Sequence, residues 1–112
     1  MGDGTGMAGL RRGEVRWYKF LRPDKKRPVV ILTRSSALAF LGEITVAPIT
    51  STIRDLPSEV LLGSEDGMDR DCAVNLDHVQ TVSGGKIGAL ITTLSHVRMR
   101  QLGEAIHFSL DL

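Results

Sequence analysis

Lys25-Lys26-Arg27-Pro28-Val29-Val30-Ile31-Leu32-Thr33 sets a basic cluster directly against a proline and a run of β-branched apolar residues. Apolar residues at consecutive rather than alternate positions describe a strand buried on both faces. Pro28 near its start lacks a ladder donor where a strand can spare one. A second strand, Ile44-Thr45-Val46-Ala47-Pro48-Ile49-Thr50-Ser51, follows and ends in hydroxyls. If the two strands pair, Arg27 comes to lie beside Thr50 and Ser51, with Lys25 and Lys26 close by. A forked guanidinium next to hydroxyl donors suits a phosphodiester.

Outward from this pair, the chain reads as a series of short strands. Val15 and Trp17 alternate with Arg16 and Tyr18 in a half-buried strand. Residues 21–26 form a charged loop, 35–40 a short helical turn, 56–62 a fourth strand and 63–67 a hairpin loop. Residues 71–82 place Cys72, Val74 and Leu76 at alternate positions, and the pattern breaks at Ser83-Gly84-Gly85. Strands this short at near-regular spacing predict a small β-barrel or a strongly coiled sheet. The period then changes. Ser95 is placed to cap a helix carrying Met99, Leu102, Ile106 and Leu110 on one face, with Gly103 expected at a close packing contact. The fold class is therefore mainly β with a C-terminal helix.

A length of 112 residues suits one domain, which buries about two-thirds of its unfolded surface. With 42% hydrophobic and 24% charged residues, the composition argues against disorder of the whole chain. No apolar run approaches the ~18–20 residues that span a bilayer, so no membrane partner is expected. Residues 1–10, rich in glycine, read as a flexible leader to a domain at 11–112. Cys72 has no second thiol, and its alternating apolar position predicts a buried, inert group in a reducing, cytoplasmic setting. His78, His96 and His107 lack metal-ligand spacing, no serine sits in a nucleophile elbow, and Gly84-Gly85 lacks a following Lys-Ser or Lys-Thr.

Charge is unevenly distributed. The net +1 conceals a stretch at 11–34 with nine Lys or Arg against two acids, and one at 55–77 with seven acids against Arg70. A basic N-terminal third points to a polyanion or an acidic peptide as partner.

Five segments in order, Arg12-Gly13-Glu14-Val15, Arg27-Pro28-Val29-Val30-Ile31, Ala47-Pro48-Ile49-Thr50-Ser51, Arg70-Asp71-Cys72-Ala73-Val74 with Gln80-Thr81-Val82, and Ile87-Gly88-Ala89-Leu90, resemble the MazF/PemK toxins. The resemblance covers residues 11–112. It implies an SH3-like barrel with a C-terminal helix, a homodimer, and a sequence-selective endoribonuclease that uses neither metal nor cofactor. It also implies neutralisation by a cognate antitoxin, expected to present an acidic tail. Carried over by position, Arg27 matches the family's catalytic arginine and Thr50 its catalytic hydroxyl, with Ser51 in support. Attack by the substrate's own 2′-OH, leaving 2′,3′-cyclic phosphate and 5′-OH ends on single-stranded RNA, is the implied reaction. Arg16, Lys25 and Lys26 are expected to hold the RNA backbone, and Trp17, Tyr18 and Phe20 are candidates for base stacking.

Residues 21–26 depart from the family pattern, where many members carry a longer Gly-Ser-Glu-Gln-like segment, so base preference does not transfer. A CcdB-like gyrase poison of the same architecture and a catalytically silent RNA- or antitoxin-binding member remain as alternatives. Arg27-Pro28 with Ile49-Thr50, and a tail ending Asp111-Leu112 without Trp, disfavour the first.

Overall fold

The computed structural model describes residues 9–19 and 26–112. Seven strands, β1 (Glu14–Lys19), β2 (Lys26–Ile31), β3 (Glu43–Thr50), β4 (Glu59–Leu62), β5 (Cys72–Asn75), β6 (Gln80–Ser83) and β7 (Ile87–Thr93), accompany helices α1 (Ser35–Leu38) and α2 (His96–Leu110). The strands pair antiparallel in the order β4-β5-β3-β2-β1-β7, with β6 also on β3. Fold class agrees with expectation, but the sheet is open rather than closed, with β4 and β7 at the two ends of its path.

β3 organises the sheet because it changes partners. Its first half, Glu43 to Val46, pairs with β6, whereas Ile49 and Thr50 pair with β5. Pro48 lies between the two ladders, so a residue without an N–H disrupts neither. Pro28 is similarly placed: it faces Trp17 of β1 and precedes the first β2–β3 pair, Val29 with Pro48. Two apolar clusters form the core. One joins Val15, Val30, Ile49, Val74 and Leu76 to Leu102 and Ala105 of α2; the other gathers Val29, Ile31, Leu38, Ile44, Val46 and Val82. Leu10 is buried in the second, so the folded chain includes the last residue of the expected leader.

Several expected elements are redrawn. The segment 71–82 is two strands on opposite ends of β3, separated by a 3-10 turn at Leu76–His78. Asn75 accepts the backbone N–H of Asp77 at 2.9 Å, and Ser58 Oγ donates to Asp77 at 2.5 Å, which turns the chain while Leu76 stays buried. The fourth strand starts only at Glu59, whose Oε1 accepts the N–H groups of Arg54 and Asp55 and holds 54–58 as a turn. β2 begins inside the basic cluster, at Lys26, and ends at Ile31, before Leu32 and Thr33. Helix α2 is capped by Ser95 as predicted, the hydroxyl accepting from Arg98 N. Gly103 is not at a close contact, since a Cβ there meets nothing within 4 Å, and Leu110 lies exposed while Ala105 takes the core position.

Arg98 fastens α2 to the loop after β4. Its Nε and Nη2 donate to the two carboxylate oxygens of Asp66 at 2.9 and 3.2 Å, and Glu65 lies 3.4 Å away. Hydrogen bonding from Arg98 lowers the Asp66 pKa, against the opposing effect of burial. The pKa of Arg98 is raised by the same partner. A carboxylate with a depressed folded pKa contributes stability above its unfolded value, near 3.8, which is lost as pH falls through the folded value. Arg98→Leu is therefore expected to melt below wild type at pH 7, with the difference shrinking below about pH 4. A constant difference in melting temperature across that range would show that Arg98 acts through packing alone.

Candidate active site

β1 and β2 set Tyr18 opposite Arg27, while β3 and β5 set Thr50 opposite Ala73. The β2–β3 ladder ends where Val29 pairs with Pro48, so Arg27 and Thr50 each lie two residues beyond that pair, at the same end of the two strands. Both residues line one cleft of about 430 Å³, joined there by Lys26 and Ser51. Ile49, Met68 and Cys72, each under a tenth exposed, form its apolar base. Trp17 and Pro28 line it from β1 and β2, and Asp69 and Arg70 from the segment before β5.

The Arg27 side chain is exposed and, among the described residues, has no ion-pair or hydrogen-bond partner. Its five donors remain available to a ligand. Thr50 is half-buried at the end of β3, and its Oγ1 accepts the N–H of Thr52 at 3.0 Å. A hydroxyl that accepts from the backbone keeps its own proton to donate, so the contact orients Thr50 without using it up. Ser51 is exposed beside it.

Two expected RNA-binding residues fare differently. Arg16 does not line the cleft; its Nε donates to Glu14 at 2.8 Å and its Nη1 to the Gly88 carbonyl at 3.0 Å, tying β1 to β7. Glu14 Oε1 also accepts from Arg11 N. Lys25, like Phe20, lies outside the described residues.

The acidic stretch proves largely structural: Asp66 and Glu65 hold Arg98, Glu59 caps a turn, and Asp77 takes Ser58. Asp69 remains in the cleft, joined to Arg70 by a 3.8 Å pair between two exposed side chains, a contact worth little. Burial, followed by the charges of Asp66, Asp69 and Asp71, pushes the Cys72 thiol up, which keeps it protonated and a poor nucleophile. Among the described residues, no three His, Cys, Asp or Glu side chains gather as metal ligands, and no helix is long and apolar enough to cross a membrane.

Met68, Asp69 and Arg70 reach the cleft from about forty residues beyond Arg27, and the sequence reading gave none of them a site role. Their segment reads as a polar loop, and only the β3–β5 pairing carries it over Thr50.

Residues 11–110 match the family model described as PemK-like, MazF-like toxin of type II toxin-antitoxin system. The chain is 41% identical over 101 residues to the probable endoribonuclease MazF5 of Mycobacterium tuberculosis, covering 89% of this chain and 92% of that protein. Its fold is similar to that of Mycobacterium tuberculosis toxin MazF-mt6, with a TM-score of 0.82 at 35% identity, over 88% of this chain and 97% of that one. A mycobacterial endoribonuclease in complex with its cognate antitoxin shares the fold at 20% identity, with a TM-score of 0.83 over 93% and 97% of the two chains.

Proposed function

Because the chain belongs to the PemK-like, MazF-like family of type II toxins, we propose that its Arg27–Thr50 cleft cuts single-stranded RNA by internal transesterification. The chain is a MazF-type endoribonuclease of a toxin–antitoxin system. The observation that carries the finer reading is that Arg27 and Thr50 line one cleft, the first with an unpaired guanidinium and the second with an oriented hydroxyl.

In that reading the substrate's 2′-OH attacks the adjacent phosphorus. The 2′-O–P bond forms as the P–O5′ bond breaks, the 2′-OH proton is lost, and the 5′ oxygen takes one up, leaving 2′,3′-cyclic phosphate and 5′-OH ends. Arg27 meets charge that grows on the non-bridging oxygens in the phosphorane-like transition state. Thr50 donates to the scissile phosphate or the attacking hydroxyl and fixes its approach. The nucleophile belongs to the substrate, so the reaction requires neither metal nor cofactor. Lys26, and Lys25 by its place in sequence, hold the RNA backbone electrostatically, with Ser51 as a further donor.

The partners in this reading are single-stranded RNA, a second copy of the chain, and an antitoxin whose acidic tail competes for the basic cleft. The setting is the cytoplasm, where messenger RNA is exposed. Incubating the purified protein with a long single-stranded RNA in excess EDTA tests the proposal. Discrete products with 5′-OH ends are expected. Intact RNA in EDTA, cut once magnesium is restored, would remove the metal-independent mechanism, and intact RNA under both conditions would favour a binding-only member or a gyrase poison.

A further inference from the structure

A second, smaller cleft of about 260 Å³ adjoins the first and shares Trp17, Pro28, Met68 and Asp69 with it, while Leu90 and Ile91 of β7 line it further. We propose that this cleft is a nucleobase pocket, which takes the base flanking the scissile phosphate and selects guanine. The proposal rests on the endoribonuclease reading and adds to it the determinant of base choice.

The ligand class follows from the walls. Trp17 and Leu90 leave 39% and 50% of their surface exposed and line the cleft with Pro28, Met68 and Ile91. Large apolar side chains open to water beside a phosphate site suit the face of an unstacked base. The volume lies below the ~300–1,000 Å³ usual for ligand pockets, so it suits one base better than a whole nucleotide. A phosphate is disfavoured there, because the charged side chain lining this cleft is the carboxylate of Asp69.

Asp69 also determines which base. An ionised carboxylate only accepts hydrogen bonds, and its two oxygens match two parallel donors. Guanine presents such a pair, N1–H and the N2 amino group, on one edge. Uracil presents a single N–H between two carbonyl oxygens that the carboxylate repels. The Asp69 side chain is 87% exposed and, among the described residues, held only by the long contact to Arg70, so it can turn to make these bonds.

The platform itself is fixed. The β1–β7 ladder shifts register on both sides of Arg16, an irregularity of the kind that re-aims a neighbouring side chain. Arg16 clamps the Gly88 carbonyl, and a Cβ at Gly88 would stand 3.1 Å from the Trp17 carbonyl oxygen, so glycine allows β7 to lie tight against Trp17. Trp17 thus projects from rigid strand rather than loop, as a stacking surface requires.

The test compares cut-site preference on a randomised single-stranded RNA pool, read by sequencing the new 5′-OH ends. Wild type is expected to favour guanine over uracil at one fixed position beside the cut, by about tenfold or more. Asp69→Asn should flatten the preference at that position only. Trp17→Phe should keep it, and Trp17→Leu should raise KM for all sequences. Because Asp69 is so exposed, its variant folds independently of the question, and melting curves serve as a check for the Trp17 variants. An unchanged preference in Asp69→Asn, or no base preference beside the wild-type cut, would overturn the pocket. Should the wild type cut no RNA, the nuclease reading fails separately. Binding of 2′-fluoro oligonucleotides differing by one base then reads the pocket alone: loss of guanine discrimination in Asp69→Asn upholds it, and equal binding of all oligonucleotides by wild type removes it.

Discussion

Arg27→Ala is expected to lower RNA cleavage at saturating substrate by about a hundred- to a thousandfold, the usual loss when a donor aimed at transition-state charge is removed. The side chain is exposed and makes no ion pair or hydrogen bond with another described residue, so its truncation leaves the sheet intact. The loss should therefore fall on the rate and not on the melting temperature. Arg27→Lys should recover little, because a point charge cannot place two parallel donors on two phosphate oxygens. RNA binding should weaken only partly, since Lys26 and Arg70 line the same cleft. Single-turnover cleavage at saturating RNA, beside melting curves, makes the measurement. Cleavage by Arg27→Ala within a fewfold of wild type would take the chemistry elsewhere.

Thr50→Val is the second large effect, expected at about a hundredfold, the scale on which small misplacements near reacting atoms are felt. Valine keeps the shape but loses two things together: the proton that the hydroxyl donates, and the acceptor for Thr52 N at 3.0 Å. Thr50→Ser preserves both and should retain much of the activity. The two losses can be separated. Thr52→Pro removes the backbone donor and leaves the Thr50 hydroxyl in place, so a fall in rate there, beyond that caused by Ser51→Ala, measures the orienting contact. Equal rates for the Val and Ser variants, at matched stability, would reduce Thr50 to a packing residue.

Much of this was present in the amino-acid order. Consecutive apolar residues at Val29, Val30 and Ile31 marked a strand covered on both sides, and all three are fully buried. Alternation at Cys72, Val74 and Leu76 identified core positions correctly, since each is under 4% exposed. It could not show that the chain turns between Asn75 and Val79, because a 3-10 turn that keeps Leu76 inward preserves the same alternation. Ser95 as a helix cap was readable from one hydroxyl and a change of period. Gly103 misled, because a helical glycine is compatible with a tight contact but does not require one.

The strand at Arg27, the strand ending at Thr50, and the basic surroundings of the first are local properties, written in residues next to one another. Their juxtaposition is not. It depends on the β2–β3 register, which is set where Val29 meets Pro48 and Ile31 meets Val46 within the apolar clusters. A shift of one residue would turn every side chain of the strand to the opposite face, so burial at one end of the ladder determines the site at the other. Arg16 shows the converse: a cation read from sequence as an RNA contact is taken up by Glu14 and the Gly88 carbonyl. Met68, Asp69 and Arg70 join the cleft only because β5 pairs with the end of β3, a contact between residues more than twenty positions apart. The sequence by itself thus determined which segments form strands and where cations and hydroxyls concentrate, because those follow from local composition and period. The tertiary structure decided which of them share a cleft, because that follows from long-range pairing driven by apolar burial.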